Sequence, residues 1–272
     1  MKTILTTTDF SEVSENAVKY AAELAELSHA RLIIFHGYSV PMPVAEVPVM
    51  TIQFDELEKQ NMDLLKALDK KLKAAHNKLE TELLTRPGFV VDEIMELTKE
   101  KKVDLVVMGV TGSGYNKAIL GSNTTSMMKK SKQSVIAVPD KAKFKKPGKI
   151  ALACDYKAIV PDNAIEKFKE FVQLFKPEVL VFDVLKKAEL VSYEKVDAEV
   201  NLENSLVDID HSIHFITGEN LEEEVNRFVE VNNVDMLVVM PHNYNFFAGL
   251  VHRSGAKKIA LNAHVPILSI HE

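Results

Sequence analysis

Four glycines and a hydroxyl share the stretch MGVTGSGYNKAILGSN: Gly109, Gly112, Gly114 and Gly121, followed at once by Ser122 and Asn123. Glycine lets a backbone N–H approach an anion closely. Ser-Asn suits a helix start, where unpaired N–H donors and the positive end of the helix dipole gather. The chemistry that fits this pattern is the cradling of phosphate, with Gly109, Gly112, Gly121, Ser122 and Asn123 as its carriers. The stretch is not a P-loop: it lacks G-x4-G-K-[ST], so no lysine is placed to reach the phosphates. Any open α/β sheet also needs tight turns between strand and helix, so the setting of the loop decides its meaning.

That setting is a series of alternating elements. Five apolar residues, Leu105 to Met108 together with Val103, read as a strand buried on both faces, and the pattern stops at Gly109. The chain opens with KTILTTTDFSE, a short strand at Ile4-Leu5 that ends at Thr7-Thr8-Asp9. Ala17, Tyr20, Ala21, Leu24 and Leu27 then recur at helical spacing. RLIIFHG, Arg31 to Gly37, is the next strand, and PMPVAEVPV after it is too rich in proline for a helix or a central strand. A long amphipathic helix is predicted from Phe54 to Leu79, then a short strand at TELLT and a third helix in VDEIMELTKEKK with Ile94 and Leu97 inward. SVIAVP, Ser134 to Pro139, closes the series.

Strands and helices alternating in this way imply an α/β fold with a doubly wound, Rossmann-like parallel sheet of five strands, most simply in the order 3-2-1-4-5. The first and fourth strands are then neighbours where the winding reverses, and ligands bind outside the carboxyl ends of the strands there. Thr7, Thr8 and Asp9 are thereby placed beside Met108, Gly109 and Gly112. Asp9 is the only acidic residue that this topology brings to the crevice. At a strand end a carboxylate can hold a magnesium ion through water, hydrogen-bond a sugar hydroxyl, or cap the helix that follows. Without a P-loop lysine, slow ATP hydrolysis is the most such a site would support.

The same pattern occurs twice. KIALACDY mirrors KTILTTTDF, with Asp155 at the place of Asp9, and PEVLVFDV mirrors ARLIIFHG. The stretch from Val234 onward mirrors that from Val103 onward without a gap from Met108 on Met240 to Ser122 on Ser254. A repeat of this length is a duplicated domain. The expected domains are residues 1–143, carrying the glycine loop, and 148–272, with the boundary in AKFKKPG.

Both halves resemble the universal stress protein family in its tandem form. The resemblance is carried by ILTTTDFSE with its helix, by the histidine ending LIIFHG, and by MGVTGSGYNKAILGSN, which is similar to the family signature G-x2-G-x9-G-[ST]. It covers nearly the whole chain. It implies an adenine-nucleotide site, ATP with or without magnesium or AMP, in which the glycines and Ser122 surround phosphates while Asp9, Gly37 and Met108 lie near base and ribose. It also implies a pseudo-dimer within one chain, in which SVIAVP and PILSI pair across a two-fold axis.

The chain departs from the family pattern in two places. Eight residues separate Gly112 from Gly121, one fewer than in the signature. In the second half Gly109 and Gly121 become Pro241 and Arg253, and Pro241 lacks an N–H to donate. Nucleotide binding is therefore expected in the first domain, with the second kept for packing. The resemblance implies a regulator or sensor in stress adaptation, acting on an unknown protein partner and open to further homodimer formation. A ligand-free interaction scaffold of the same fold is the alternative.

Composition narrows the classes further. Residues 1–146 carry 21 basic against 19 acidic side chains and the remainder 12 against 20, an acidic second half that argues against a nucleic-acid partner. No apolar run approaches the roughly 20 residues of a membrane helix, so no membrane partner is expected. The single cysteine, Cys154, fits a reducing compartment, and a cytoplasmic protein is expected. His211 and His214, three apart in a predicted strand, point to opposite faces and do not chelate together; with no H-E-x-x-H pattern, no metal site is expected. His36 ends the second strand beside the crevice, where a bond to backbone is its expected role.

Overall fold

The computed structural model describes residues 1–39, 54–110, 122–154, 162–185, 203–240 and 264–271. In the first half these form β1 (Thr3–Thr7), α1 (Glu12–Ser28), β2 (Arg31–Tyr38), α2 (Phe54–Ala75), β3 (Thr81–Pro87), α3 (Val90–Glu100), β4 (Leu105–Val110), α4 (Ser122–Lys130) and β5 (Ser134–Pro139). The second half contributes β6 (Lys149–Ala153), α5 (Asp162–Phe175), β7 (Glu178–Leu185), β8 (His211–Thr217), α6 (Leu221–Val231), β9 (Met236–Val239) and β10 (Ile267–Ser269).

The strands make one sheet in the order β3-β2-β1-β4-β5-β10-β9-β6-β7-β8. Each half is thus a doubly wound parallel sheet of order 3-2-1-4-5. The halves merge because β5 and β10 pair antiparallel, Ile267 with Ala137, Leu268 with Ile136 and Ser269 with Val135. SVIAVP and PILSI meet as the resemblance implied, and the pseudo-dimer is a single continuous sheet.

Strand alternation sorts the side chains into two cores. Ile4, Leu32, Ile34, Leu105 and Val107 pack with Ala17, Ala21 and Leu24 of α1 and Leu65, Leu68 and Leu72 of α2. Leu5, Ile33, Phe35, Val106 and Met108 pack with Ile94 and Leu97 of α3 and Met127 and Met128 of α4. With both faces covered, every residue of such a strand is buried, which is why the strands read as unbroken apolar runs. Each Leu, Ile or Phe removed from water in this way contributes about 1.5–3 kcal/mol before entropy is counted. In the second half α5 joins the first core and α6 the second.

Three element ends differ from expectation. β4 does not stop at Gly109; it runs through it to Val110, with Gly109 opposite Val138 and Val110 opposite Pro139 of β5. It also starts at Leu105, so Val103 is buried in the core without being part of the strand. α2 ends at Ala75, short of Leu79: the His76 ring bonds the Glu26 carboxylate at 2.7 Å, and Leu79 is buried after a turn.

Candidate functional site

β1 lies between β2 and β4, and its last register pair with β4 is Thr6 with Val107. Thr7 and Met108 are the next residues on each strand. The carboxyl end of β1 is therefore fixed against that of β4, as the winding order predicts.

Beyond β1 the chain is held by hydroxyls. Thr8 is buried; its N–H donates to the Phe35 carbonyl at 2.9 Å, and its Oγ1 lies 3.1 Å from Ser14 Oγ. Ser11 caps α1, its hydroxyl accepting the Ser14 N–H at 3.2 Å. Ser11 also donates its own N–H, at 3.0 Å, and its hydroxyl, at 2.5 Å, to Asp9 Oδ1. The Asp9 N–H in turn donates to Ser14 Oγ at 3.2 Å. Partial burial works against charge on Asp9, yet the hydrogen bonds from Ser11 and Ser14 and from backbone outweigh it, and the carboxyl is held below its ordinary value. Asp9 is exposed and ionised at neutral pH.

Between Asp9 and the cap, Phe10 takes φ +63°, a left-handed conformation that costs a bulky residue on the order of 1–3 kcal/mol. Its ring centroid sits 4.6 Å from that of the His36 imidazole, and the Tyr38 ring lies nearly parallel to the same imidazole at 6.4 Å. The Thr8 carbonyl can only accept, so His36 Nδ1, 2.7 Å away, carries the proton and Nε2 is an acceptor. His36 thus has the backbone bond expected of it.

The glycines at the strand ends prove to be close-packed. A Cβ on Gly109 would lie 2.8 Å from the Val13 carbonyl oxygen, so this glycine lets the start of α1 rest on β4. A Cβ on Gly37 would meet Val90 Cγ2 at 3.0 Å and Phe35 Cζ at 3.3 Å. The Gly109 carbonyl accepts from Thr124 Oγ1 at 3.0 Å, which ties the first turn of α4 to the same strand end. Met108 is only 3% exposed, and its side chain packs in the core under α3 and α4. Its thioether does not border the crevice.

Ser122 and Asn123 are the first two residues of α4 and both are exposed. Thr7, Thr8, Asp9, Gly37, Met108, Gly109, Ser122 and Asn123 therefore gather at the carboxyl ends of β1, β2 and β4, in the plan the sequence indicated. Gly112 and Gly121 lie outside the described residues, as do Asp155, Pro241 and Arg253. Ser14, Thr124 and Val13 were not anticipated. Only the S-x-x-S spacing of Ser11 and Ser14, a capping pattern, signals one of them in the sequence.

The chemistry available is that of binding. One ionised carboxylate, a run of hydroxyls and the exposed start of α4 offer hydrogen bonds to sugar hydroxyls and phosphate oxygens. No cluster of three or more His, Cys, Asp or Glu able to hold a metal occurs among the described residues; His211 Nδ1 lies 2.8 Å from the Ile209 carbonyl and His214 Nε2 2.8 Å from Ser212 Oγ. No helix among the described residues is long and apolar enough to cross a membrane.

The profile of the universal stress protein family matches residues 1–139. Two universal stress proteins of Methanocaldococcus jannaschii are similar in sequence. One is 31% identical over 141 residues, half of this chain and 81% of its own length; the other is 26% identical over 157 residues, 52% of this chain and 96% of its own. In structure, a universal stress protein from Archaeoglobus fulgidus matches 99% of this chain and 98% of its own at TM-score 0.76, with 18% identity. At that identity the likeness concerns the fold, and it spans both halves.

Proposed function

Because the chain belongs to the universal stress protein family, we propose that its first half binds ATP, or a related adenine nucleotide such as AMP, and that occupancy of this site regulates a protein partner in stress adaptation. The observation that carries the reading is Asp9: an exposed carboxylate kept ionised by Ser11 and Ser14, at the strand end next to β4 and α4. A ribose offers hydroxyl donors to such an acceptor. The start of α4 at Ser122 and Asn123 would take phosphate oxygens, with magnesium riding on the phosphates and Asp9 reaching it through water. The residues fit a nucleotide in part, because Gly109 and Gly37 are already explained by the contacts with Val13 and Val90.

That same packing favours the rival reading, a ligand-free scaffold in which the β5–β10 pairing simply presents two copies of one fold. Calorimetric titration of ATP, AMP and GTP with magnesium separates the two. One adenine-selective site, lost in Asp9→Ala and in Gly121→Arg, supports binding; the second variant copies the residue that the other half has at this place. No heat and no thermal shift at millimolar ATP leaves the scaffold reading. Phosphate release that depends on Asp9 would add slow hydrolysis to the first.

A further inference from the structure

At the amino ends of β4 and β5, opposite the strand ends that face the proposed nucleotide crevice, a cavity of about 290 Å³ opens at the seam between the halves. It is at the small end of the range of about 300–1,000 Å³ for ligand pockets. Leu105 at the start of β4, Phe171 on α5, and Leu268 and Ile270 in and after β10 give it apolar walls. Three charged side chains also line it, Lys167 and Glu170 on α5 and Asp104 just before β4, and Met1 lines it as well.

The charges are not used up by the protein. Lys167 donates to the His271 carbonyl at 2.6 Å and to the Lys132 carbonyl at 3.3 Å, which leaves one of its three N–H donors. It has no carboxylate at ion-pair distance among the described residues, and burial pulls its ammonium below the ordinary value while Glu170 opposes that shift. Glu170 stands one turn along the helix and forms no ion pair among the described residues. Asp104 accepts the N–H groups of Lys2 and Thr3 through Oδ2 and forms no ion pair among the described residues.

We infer that this cavity is a binding site for a small zwitterion with an apolar body, an aliphatic or aromatic α-amino acid. Its carboxylate meets the remaining Lys167 donor, its ammonium meets Glu170 and Asp104, and its side chain lies on Leu105, Phe171, Leu268 and Ile270. Charge complementarity decides the class. A plain carboxylate leaves Glu170 and Asp104 without a cation, a plain amine leaves Lys167 without an anion, and a nucleotide brings several negative charges toward two carboxylates. The site is separate from the nucleotide crevice, and the inference does not depend on that reading.

The test titrates leucine into the full chain, alongside 4-methylpentanoate, which lacks the ammonium, and 3-methylbutylamine, which lacks the carboxylate. Saturable heat for leucine at millimolar concentration is expected, with each analogue weaker by at least about tenfold. Lys167→Met and Glu170→Gln should each weaken leucine by a similar factor. Glu170 is exposed, so its variant keeps the fold and decides the matter if Lys167→Met unfolds. Absence of leucine binding, binding that survives Glu170→Gln or a folded Lys167→Met, or an analogue that matches leucine would each overturn the inference.

Discussion

Ile136 of β5 faces Leu268 of β10 across the seam, and each stands at the other's place in the repeat. The gapless alignment that sets Met108 on Met240 also sets Ile136 on Leu268. Equivalent residues face each other in an antiparallel pair only where a local two-fold axis passes between them. Both side chains are fully buried, so the axis runs through the core. Truncation of either, Ile136→Ala or Leu268→Ala, should cost about 2–5 kcal/mol by urea denaturation. Because the side chains are neighbours, the double variant should depart from additivity by about 0.5 kcal/mol or more. Strict additivity would mean that the seam does not couple the halves.

Stability should also depend on His271. Burial pulls its pKa to about 4, Lys167 acts in the same direction, and a hydrogen bond to the Met128 carbonyl opposes both. The unfolded chain has a histidine near 6.5. Between those values the unfolded state takes up a proton that the folded state refuses, so the folded state loses ground as pH falls from about 6.5 to 4. The contribution is full above that window and no more than about 3 kcal/mol. Urea midpoints at pH 7, 6 and 5 should fall in the native protein and fall less in His271→Gln. The carboxylates of Asp9 and Asp235, held below their ordinary values, act lower on the scale and do not mimic this window.

Gly109→Ala should destabilise the protein by about 1–3 kcal/mol whether or not nucleotide is present, since the new methyl group meets a backbone oxygen that has little room to move. Gly37→Ala should cost less, because its nearest neighbour is the end of the Val90 side chain. Thermal unfolding of both variants checks the order. Equal effects would show that α1 can lift away from β4.

The sequence made the sheet readable because strands covered on both faces are apolar throughout. It misled at Gly109, where a residue that usually ends a strand stays paired with Val138. The reason is tertiary: α1 approaches so closely that only glycine fits. It misled again after Ala75, where Leu79 keeps helical spacing but its N–H turns back to the His76 carbonyl, three residues earlier, while the His76 ring bonds Glu26. The place of Asp9 just beyond the carboxyl end of β1 was legible from topology alone, but its holding by Ser11 and Ser14 is a matter of cap geometry that residue types do not specify. Met108 stands at the β4 end that its position in the sequence indicated, and strand alternation turns its side chain into the core.

A last pair of residues tests the repeat at its base. Asp104 accepts the N–H groups of Lys2 and Thr3 at 2.5 and 2.9 Å, and Asp235 accepts those of Gly148 and Lys149 at 2.8 and 3.0 Å. Each carboxylate clamps the first strand of its half to the fourth. Asp235 has in addition the Lys145 ammonium at 2.8 Å, and although partial burial works against its charge, the lysine and the two N–H groups hold its pKa down. Removing an acceptor from two backbone donors should cost about 1–3 kcal/mol in Asp104→Ala and at least as much in Asp235→Ala. The loss in Asp235→Ala should be present at neutral pH and shrink as pH falls through the folded pKa, because protonation there has already discharged the native carboxylate. Denaturation midpoints at pH 7 and 3 check this, and a loss that is the same at both would mean that the clamp works by hydrogen bonding without charge.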